Sequence, residues 1–386
     1  MMRIYLIAGE PSGDMLGARL MRALKQQMPD IKIYGVGGEN MEKEGMHSLF
    51  DISDLAIMGL AEVIPSIPKV LRRIKETVQD IERKKPDAVI TVDSWSFCAR
   101  VHKALRKRGV KTRQIHYVAP QVWAWKKGRA KTMYKYIGRL LTLFPNEPKY
   151  FTPYHLPTDF VGHPVVESSM IDAKAADFLT KYHIGAEQKV VLLLPGSRHN
   201  EVARLLPVFI DTAEILSRKH PELKFVIPTV KTVAGRVKSM LKNLGVQDIT
   251  VIETQEDRYA AYRAAVMAIA ASGTVALELA VINVPHLVCY KVPALTAFLA
   301  RRIADIKYVN LTNILLDKPI IPELLQDDCN QEKLATVAEE LLDDKSALYL
   351  KEKQGFVELR EALGMGVLKP SEKAAEIILA AVNGAK

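Results

Sequence analysis

Short apolar runs of strand length alternate with helical patterns along almost the whole chain. Strands that helices cover on both faces are apolar throughout, so this alternation predicts α/β domains built on parallel sheets. With 386 residues, 48% of them hydrophobic, the chain can bury two such cores. The predicted strands are Arg3 to Ala8, Ile31 to Gly35, Asp87 to Val92, Gln114 to Val118, Leu140 to Phe144, Val190 to Leu194, Phe225 to Pro228, Ile249 to Glu253, Ala268 to Ala271 and His286 to Tyr290.

A polar, Ala-rich helical segment from Asp172 to His183 separates two series of strands and predicts a domain boundary. We place a first domain over residues 1–170 and a second over residues 185–345. A helical tail over residues 346–386 is expected to pack back on the first domain, and no strand is predicted after Tyr290. The apolar window from Ala264 to Ile282 approaches the length of a membrane span, but polar residues inside it favour a buried strand, turn and helix.

A turn of small residues follows the strand that ends at Leu194. Gly196 and Ser197 lead into a helix that has Arg198 at its start and Glu201 in its first turn. Free backbone N–H groups, the positive end of the helix dipole and a permanent cation would together suit a phosphate or diphosphate. The alternative interpretation is an ordinary strand-to-helix turn with a surface arginine.

A second turn of this kind follows the strand that ends at Ala271. Ser272, Gly273 and Thr274 let a diphosphate approach the backbone, and Glu278, about one helical turn later, can hold a ribose diol. Either turn alone could be a common loop, but two in one domain favour a nucleotide. No G-x-x-x-x-G-K or Asp-x-Asp motif occurs, which predicts a diphosphate site without a metal and without a cofactor.

Composition limits the class of partner. The formal charge of +10 indicates either solvated lysine and arginine faces, an anionic membrane surface or a nucleic acid. No nucleic-acid partner is predicted, because no RNA or DNA motif occurs and the basic clusters lack interleaved aromatic residues. Three cysteines without C-x-x-C spacing argue against a disulfide framework and a structural zinc, and they fit a reducing cytoplasm.

The first domain carries further candidate side chains at the ends of its strands. Asp93 lies at a carboxyl end, the edge at which open α/β sheets bind ligands, although the position would also suit a helix N-cap. Trp123 and Trp125 follow another strand and either cap the core or form a platform for a sugar or an acyl chain.

Residues Ala56 to Leu71 are strongly apolar, and basic side chains follow them. A buried helix with a charged continuation is the commoner explanation. The alternative is contact with an anionic bilayer, because membrane-surface helices combine apolar and cationic residues in this way. The residues predicted to make that contact are Met58, Ile64, Ile67, Val70, Leu71, Arg72 and Arg73.

Six motifs, in order along the chain, resemble the lipid-A-disaccharide synthase family. The likeness runs from about Met2 to Glu323, and its most specific part is the string that ends in the two tryptophans. The motifs are Gly9-Glu-Pro-Ser-Gly-Asp14, His116-Tyr-Val-Ala-Pro-Gln-Val-Trp-Ala-Trp125, Gly162-His-Pro164, Leu194-Pro-Gly-Ser-Arg198 with Glu201, Ser272-Gly-Thr274 with Glu278, and Tyr308-Val-Asn-Leu-Thr-Asn-Ile-Leu315.

The resemblance implies a GT-B glycosyltransferase, in which two Rossmann-like domains face each other across a cleft. The implied reaction transfers 2,3-diacylglucosamine from its UDP derivative to the 6-hydroxyl of 2,3-diacylglucosamine 1-phosphate (lipid X), with inversion and without a metal. Its products are a β-1,6-linked disaccharide 1-phosphate and UDP. The implied location is peripheral, on the cytoplasmic face of the inner membrane in bacteria that have an outer membrane, and a homodimer is left open.

The same resemblance implies roles for individual residues. Asp93 would be the base on the acceptor hydroxyl, and Arg198 would clamp the departing diphosphate. The implied UDP site consists of Gly196, Ser197, Arg198, Glu201, Ser272, Gly273, Thr274, Glu278 and Asn313, with Glu278 on the ribose. The implied acceptor side consists of Glu10, Ser12, Asp14, Trp123 and Trp125.

The chain departs from the family pattern directly after Asp93. The family has Asp-x-Pro-Asp-Phe, whereas this chain has Trp95 in place of the proline and Ser96 in place of the second carboxylate. If that carboxylate were the base, or raised the pKa of the base, the enzyme would be weakened; we expect instead an altered accommodation of acyl chains or acceptor. The rival hypotheses are a sugar-nucleotide 2-epimerase of the GT-B class and a non-catalytic UDP-sugar-binding or membrane-scaffold protein.

Overall fold

A computed structural model describes residues 1–55, 60–120, 122, 127–246, 248–292 and 307–384, with the backbone alone for residues 60–66 and 127. It divides into two compact units, Met1–Pro164 together with Gly366–Lys386, and Val165–Met365. Each unit contains a six-stranded sheet. Every strand pairing in both sheets is parallel, which confirms the predicted α/β class.

The first unit carries its sheet in the order β2-β1-β3-β4-β5-β6. Its strands are β1 (Arg3–Ala8), β2 (Lys32–Val36), β3 (Ala88–Val92), β4 (Arg113–Tyr117), β5 (Arg139–Thr142) and β6 (Thr158–Phe160). Its helices are α1 (Pro11–Gln27), α2 (Glu39–Lys43), α3 (Leu60–Lys84), α4 (Trp95–Lys107), α5 (Ala130–Met133) and α14 (Pro370–Asn383). All of β3, and β1 apart from Arg3, are buried, as expected for central strands enclosed on both faces.

The second unit carries its sheet in the order β12-β11-β10-β7-β8-β9. Its strands are β7 (Lys189–Leu194), β8 (Leu223–Pro228), β9 (Ile249–Ile252), β10 (Ala265–Ala271), β11 (His286–Tyr290) and β12 (Glu323–Leu325). Its helices are α6 (Ala175–Lys181), α7 (His199–Lys219), α8 (Lys231–Asn243), α9 (Gln255–Ala264), α10 (Thr274–Val281), α11 (Leu311–Leu316), α12 (Gln331–Leu342) and α13 (Ala347–Ala362).

The expectation that no strand follows Tyr290 is wrong, because β12 pairs in parallel with β11. β12 has only three residues, all half-buried, and it lies at the edge of the sheet. So short a segment carries no readable alternation of apolar and polar residues. It is held from outside the strand as well, since the Val288 N–H donates to the Pro322 carbonyl at 2.9 Å.

The predicted tail is divided between the two units. α13 belongs to the second unit, and α14 belongs to the first. α14 lies on α1, where the Gln27 side-chain amide donates to the Glu372 carbonyl at 2.9 Å. The apolar window from Ala264 to Ile282 is divided, as predicted, between a strand and a helix. In the described part of the chain, no helix is both long enough and apolar enough to cross a membrane.

Each sheet has one point at which the order of its strands reverses. In the first unit the chain runs from β1 to β2 and then returns to place β3 on the other side of β1. In the second unit it runs from β7 through β8 to β9 and then returns to place β10 beside β7. Open α/β sheets bind ligands outside the carboxyl ends of their strands at such switch points. The two places to look for a site are therefore the ends of β1 and β3, and the ends of β7 and β10.

Candidate active site

Asp93 lies at the switch point of the first unit, directly after β3. Its carboxylate accepts a hydrogen bond from the Ser12 hydroxyl, at the start of α1, at 3.0 Å, and another from the Ser94 backbone N–H at 2.8 Å. The N-cap residue of α4 is Ser94, so Asp93 is not the helix cap that its position alone allowed. Ser12 and Asp93, which are 81 residues apart in sequence, are thus brought together as a candidate reaction centre.

The backbone at this edge adopts unusual conformations. Asp93, Ser94 and Val118 have φ values of 56°, 42° and 80°, a region that costs side chains other than glycine energy and is least favourable for a β-branched residue. Backbone hydrogen bonds hold it in place, from the Asp93 N–H to the Tyr117 carbonyl at 2.9 Å and from the Val118 N–H to the Leu141 carbonyl at 3.0 Å. Strain of this kind concentrates at functional sites.

Glu10 lies beside Asp93 at the end of β1. Partial burial and the negative charge of Asp93 raise the pKa of the Glu10 carboxyl, while a hydrogen bond with the Ser94 side chain opposes the rise. Ser94 was not predicted as a site residue from the sequence. Its side chain forms a hydrogen bond with Glu10, and its backbone N–H donates to Asp93. The arrangement places two carboxyl groups and two serines at one strand-end crevice.

Asp14, expected on the acceptor side, is buried and acts as a structural residue. Its carboxylate accepts the backbone N–H groups of Gly38, Asn40 and Met41 at 2.7, 3.0 and 3.1 Å, and the Asn40 side-chain amide at 2.8 Å. These bonds fix the N-terminal end of α2 on α1. Since the residue is only 3% exposed and its lone pairs are occupied, its carboxylate serves the fold in this arrangement, and the role expected on the acceptor side stays a prediction.

The departure at residues 95 and 96 leaves the crevice intact. The Trp95 ring packs 4.7 Å from the His116 ring and 6.1 Å from the His102 ring, between centroids, and it contacts the two apolar clusters of this unit. Ser96 is exposed in the first turn of α4. The second carboxylate of the family pattern would therefore stand at a solvent-facing position. Trp123 and Trp125, the other predicted acceptor-side residues, lie outside the described residues.

In the turn after β7, the carboxylate of Glu201 accepts the hydrogen bonds that a bound anion would otherwise accept. Gly196 has φ 106°, and a Cβ added there would come within 2.5 Å of the Glu201 carboxylate, so only glycine fits. Glu201 accepts the N–H groups of Ser197 and Arg198 at 3.2 and 3.3 Å and the Arg198 guanidinium at 2.7 Å. This corrects the expectation that both N–H groups are free. Glu201 instead fixes the direction of Arg198, whose side chain is 78% exposed and whose pKa it raises.

The turn after β10 has no comparable internal cap. α10 begins at Thr274 without a side-chain hydrogen bond at its N-terminus, and Gly273 and Thr274 are exposed. The Ser272 hydroxyl donates to the Val309 carbonyl at 3.0 Å, and its N–H donates to the Cys289 carbonyl at 3.0 Å. Among the described residues no side chain caps the first N–H groups of α10, and the diphosphate contact expected there stays a prediction.

Glu278 lies half-buried in α10, one turn beyond this N-terminus. Burial raises the pKa of its carboxyl to about 7, against the opposing charge of an arginine on α9. No hydrogen bond joins it to any other described side chain, so both of its oxygens are available to a ligand. A carboxylate can accept hydroxyl protons from a ribose, and a helix N-terminus can bind phosphate, so these two groups suit the nucleoside diphosphate expected from the sequence.

Asn313, expected near the nucleotide, is buried and its amide is fully used. Its Nδ2 donates to the Ile321 carbonyl at 2.8 Å and to Glu323 at 3.0 Å, and its Oδ1 accepts the N–H groups of Ile320 and Ile321, both at 2.9 Å. A side-chain amide has two donors and two lone pairs, so no capacity remains for a ligand. The side chain of Asn313 thus anchors the segment before β12, and its expected place near the nucleotide stays a prediction.

The predicted membrane-facing residues on α3 divide into two groups. Ile67 and Leu71 are 46% and 56% exposed one turn apart, and the Arg72 side chain is 62% exposed. Val70 packs on the core of the first unit, and Arg73 lies over the Phe50 ring and pairs with Asp54 and Glu76. Val70 and Arg73 are therefore not free for a membrane. Met58 and the side chain of Ile64 lie outside the described residues.

Comparison with known proteins identifies close relatives. The profile of the family described as "Lipid-A-disaccharide synthetase" matches residues 4–378. A protein of Paramagnetospirillum magneticum named lipid-A-disaccharide synthase is 47% identical over 381 residues, 98% of this chain and 97% of the relative. A protein of Rhodospirillum centenum with the same name is 45% identical over 377 residues, 97% of this chain and 94% of the relative.

Solved structures with a similar fold are much more distant in sequence. An S. aureus MnaA–UDP co-structure matches with a TM-score of 0.64 and 16% identity over 99% of this chain and 96% of that one. UDP-GlcNAc 2-epimerase from Neisseria meningitidis, bound to UDP-GlcNAc, matches with a TM-score of 0.63 and 14% identity over 98% of each chain. At this identity the likeness shows the fold alone. It confirms the predicted GT-B class of two Rossmann-like units.

Proposed function

The chain belongs to the lipid-A-disaccharide synthase family, and from that premise we propose how its residues carry out the reaction. The protein is a glycosyltransferase of lipid A biosynthesis. The donor is UDP-2,3-diacylglucosamine, and the acceptor is 2,3-diacylglucosamine 1-phosphate. The acceptor 6-hydroxyl oxygen bonds to the donor C1, the C1–oxygen bond to the diphosphate breaks with inversion, and UDP leaves.

Asp93 is the proposed base, and its position at the switch point of the first unit is the observation that carries the proposal. The Ser12 hydroxyl donates to Oδ2 of Asp93 and the Ser94 N–H donates to Oδ1, so each oxygen keeps a lone pair that can accept the proton of the 6-hydroxyl. The strained backbone makes the orientation of the carboxylate rigid. Glu10 lies beside this carboxylate, and burial together with the negative charge of Asp93 raises the pKa of the Glu10 carboxyl.

Arg198 and the N-terminus of α10 are the proposed binding groups for the diphosphate. Arg198 uses one guanidinium nitrogen on Glu201 and keeps its remaining donors exposed to solvent. The N-terminus of α10 adds unpaired N–H groups and a positive dipole end. Both groups stabilise the negative charge that develops on UDP as it departs, and Glu278 holds the ribose.

A UDP-release assay with donor, acceptor, detergent and EDTA tests this function. We expect Asp93→Asn to lower turnover by about 10² to 10⁴, the usual cost of removing a base, while UDP binding stays near that of the parent enzyme. Arg198→Gln should weaken UDP binding as well as turnover. Turnover of UDP-N-acetylglucosamine alone would indicate a 2-epimerase. Binding of UDP without release of UDP from the donor would indicate a non-catalytic binding protein. Strict loss of activity in EDTA would refute the metal-free mechanism.

We also propose that the exposed part of α3 contacts the cytoplasmic face of the inner membrane, where both lipid substrates reside. Ile67 and Leu71 present apolar surface, and beside it lie the exposed side chains of Lys69 and Arg72, which pair with Asp54 and Glu76. Burying two such side chains in a bilayer contributes roughly 1 kcal/mol or more each. A homodimer stays a prediction.

Sedimentation with phosphatidylglycerol vesicles measures this contact. We expect the double variant Ile67→Ser, Leu71→Ser to bind about tenfold more weakly, the factor that 1.4 kcal/mol produces. Leu350→Ser, Val357→Ser on α13 is the matched control, because those side chains are 56% and 45% exposed. Equal effects of the two double variants would refute the assignment of the contact to α3.

A further inference from the structure

Glu323, the first residue of β12, holds three N–H groups on one carboxylate. Its Oε1 accepts the Val309 N–H at 3.1 Å, the Asn310 N–H at 2.8 Å and the Asn313 side-chain amide at 3.0 Å. Its Oε2 accepts the Val309 N–H at 3.0 Å. An ionised carboxylate is an acceptor only, and its hydrogen bonds are stronger than those between neutral groups. The side chain of Glu323 therefore fixes the backbone just before α11.

Val309 extends this hold to the turn after β10. Its N–H donates to Glu323, while its carbonyl accepts the Ser272 hydroxyl at 3.0 Å. β10 and β12 lie on opposite sides of β11, so a residue outside the strands links the two. The Ser272 N–H donates to the Cys289 carbonyl at 3.0 Å, which ties the turn to β11 as well. Ser272 is thus held from two directions, one of which begins at Glu323.

The position of Ser272 decides where the backbone of the turn points. Gly273 follows it directly, and α10 begins at Thr274. Gly273 has no side chain with which to fix the turn, and no side chain of the described residues caps α10. The direction of the first N–H groups of this helix, which would meet a bound phosphate, therefore depends on the hydrogen bonds of Ser272.

We propose that Glu323 is a positioning residue for the diphosphate site, which acts through Val309 on Ser272 and so directs the first N–H groups of α10. This inference rests on the proposed function, because it takes the N-terminus of α10 to bind the diphosphate. The ligand chemistry is a nucleoside diphosphate. Glu323 itself touches neither the nucleotide nor the reacting atoms.

Glu323→Gln tests the link at the bond to Val309. The amide oxygen can still accept from Asn310 and Asn313, but the NH2 group in place of Oε2 meets the Val309 N–H donor to donor. In calorimetric titrations of the full chain, we expect UDP to bind about tenfold more weakly, the lower end of what losing a supporting hydrogen bond costs at metal sites. Affinity for uridine, which has no phosphate, should equal that of the parent protein.

A double-variant cycle measures whether Glu323 acts through Ser272. Ser272→Ala removes the hydroxyl at the far end of the link and should also weaken UDP binding. The double variant should bind UDP no more weakly than the weaker single variant, because the second change removes an interaction that the first has already broken. Losses that multiply in full would refute the common route.

Ser346→Ala is the matched control for stability. The Ser346 hydroxyl caps α13 in the same unit by accepting the Tyr349 N–H at 3.0 Å, so its loss should lower the unfolding midpoint. UDP affinity, measured at a temperature at which every variant is folded, should stay that of the parent. If Glu323→Gln does not fold, Glu323→Asp, whose carboxylate is one methylene group shorter, repeats the measurement.

Thr274→Pro separates this inference from the function on which it rests. Proline fits the first position of a helix but has no N–H, so this variant removes one phosphate donor and keeps α10. Parent-like UDP affinity in Thr274→Pro overturns the diphosphate site, and this inference falls with it.

The remaining results apply where Thr274→Pro does weaken UDP binding. Parent-like UDP affinity in Glu323→Gln, or an equal loss for UDP and uridine, overturns the role of Glu323 alone. A loss of the same size in Ser346→Ala overturns it too, because the effect would then be one of stability. A loss confined to UDP and shared with Ser272→Ala supports the proposal.

Discussion

Replacing Asp14 by alanine tests whether the first motif of the chain serves the fold or the acceptor. The change removes one carboxylate that accepts three backbone N–H groups and one side-chain amide at 2.7 to 3.1 Å. Water can replace the carboxylate as the hydrogen-bond acceptor for the exposed Asn40 but not for the backbone N–H of the buried Met41. Hydrogen bonds to a charged group contribute about 1.5–3 kcal/mol each, so with partial rehydration we expect a loss of about 3 kcal/mol.

Thermal unfolding followed by circular dichroism measures this loss. A loss of 1 kcal/mol lowers the midpoint of a domain of this size by about 2–4 °C, so the transition of the first unit should fall by about 6–12 °C. Asp14→Asn keeps one acceptor oxygen and should lose less. Ser12→Ala is the matched control, since Ser12 is exposed two residues away in the same motif and should alter turnover without altering the midpoint. An unchanged midpoint in Asp14→Ala with lost turnover would refute the structural role and return Asp14 to the acceptor side.

Two further perturbations follow from buried polar groups. Asn313→Ala should lower the unfolding midpoint of the second unit, because four hydrogen bonds to residues 320–323 are lost. A change in UDP affinity larger than the change in folded fraction would contradict the structural assignment. His102 is fully buried, and burial lowers the pKa of its imidazole from the usual 6.5 to about 4. As the pH falls, the unfolded chain therefore takes up a proton on this histidine before the folded protein does. The free energy of unfolding should fall as the pH drops from about 6.5 through 4. The loss reaches about 3 kcal/mol, and a denaturation midpoint of the first unit that stays constant between pH 7 and pH 5 would disprove it.

Most of the fold follows from the sequence pattern because buried parallel strands leave a strong local signal. Ile4 to Ala8 and Val190 to Leu194 are apolar without interruption, and their structured bounds differ from the predicted ones by at most one residue. β12 was not predicted because three residues next to a proline are too few to show an alternation of apolar and polar side chains. The strand is defined by its pairing with β11. The division of the tail between α13 and α14 depends on tertiary packing, which no local pattern encodes.

The roles of the site residues were harder to predict because several of them depend on contacts with residues that are distant in sequence. Residue type and motif position indicated Asp93, Arg198 and Glu278, and the structure places each at a switch point or one turn from it. The same reasoning could not show that Glu201 occupies the turn N–H groups that were expected to bind phosphate. Ser94 could have been found from the sequence, since a serine directly after a strand-end carboxylate is placed to bond that carboxylate.

The polar residues of a motif separate by how much of their hydrogen-bonding capacity the fold already uses. Asp14 and Asn313 each make four hydrogen bonds within their own unit, so they hold segments together and have nothing left for a substrate. Arg198 keeps most of its donors exposed, and the Glu278 side chain makes no hydrogen bond to a described residue. Because these two side chains retain hydrogen-bonding capacity that the described fold does not use, we expect a bound nucleotide to contact Arg198 and Glu278, while Asp14 and Asn313 continue to serve the fold.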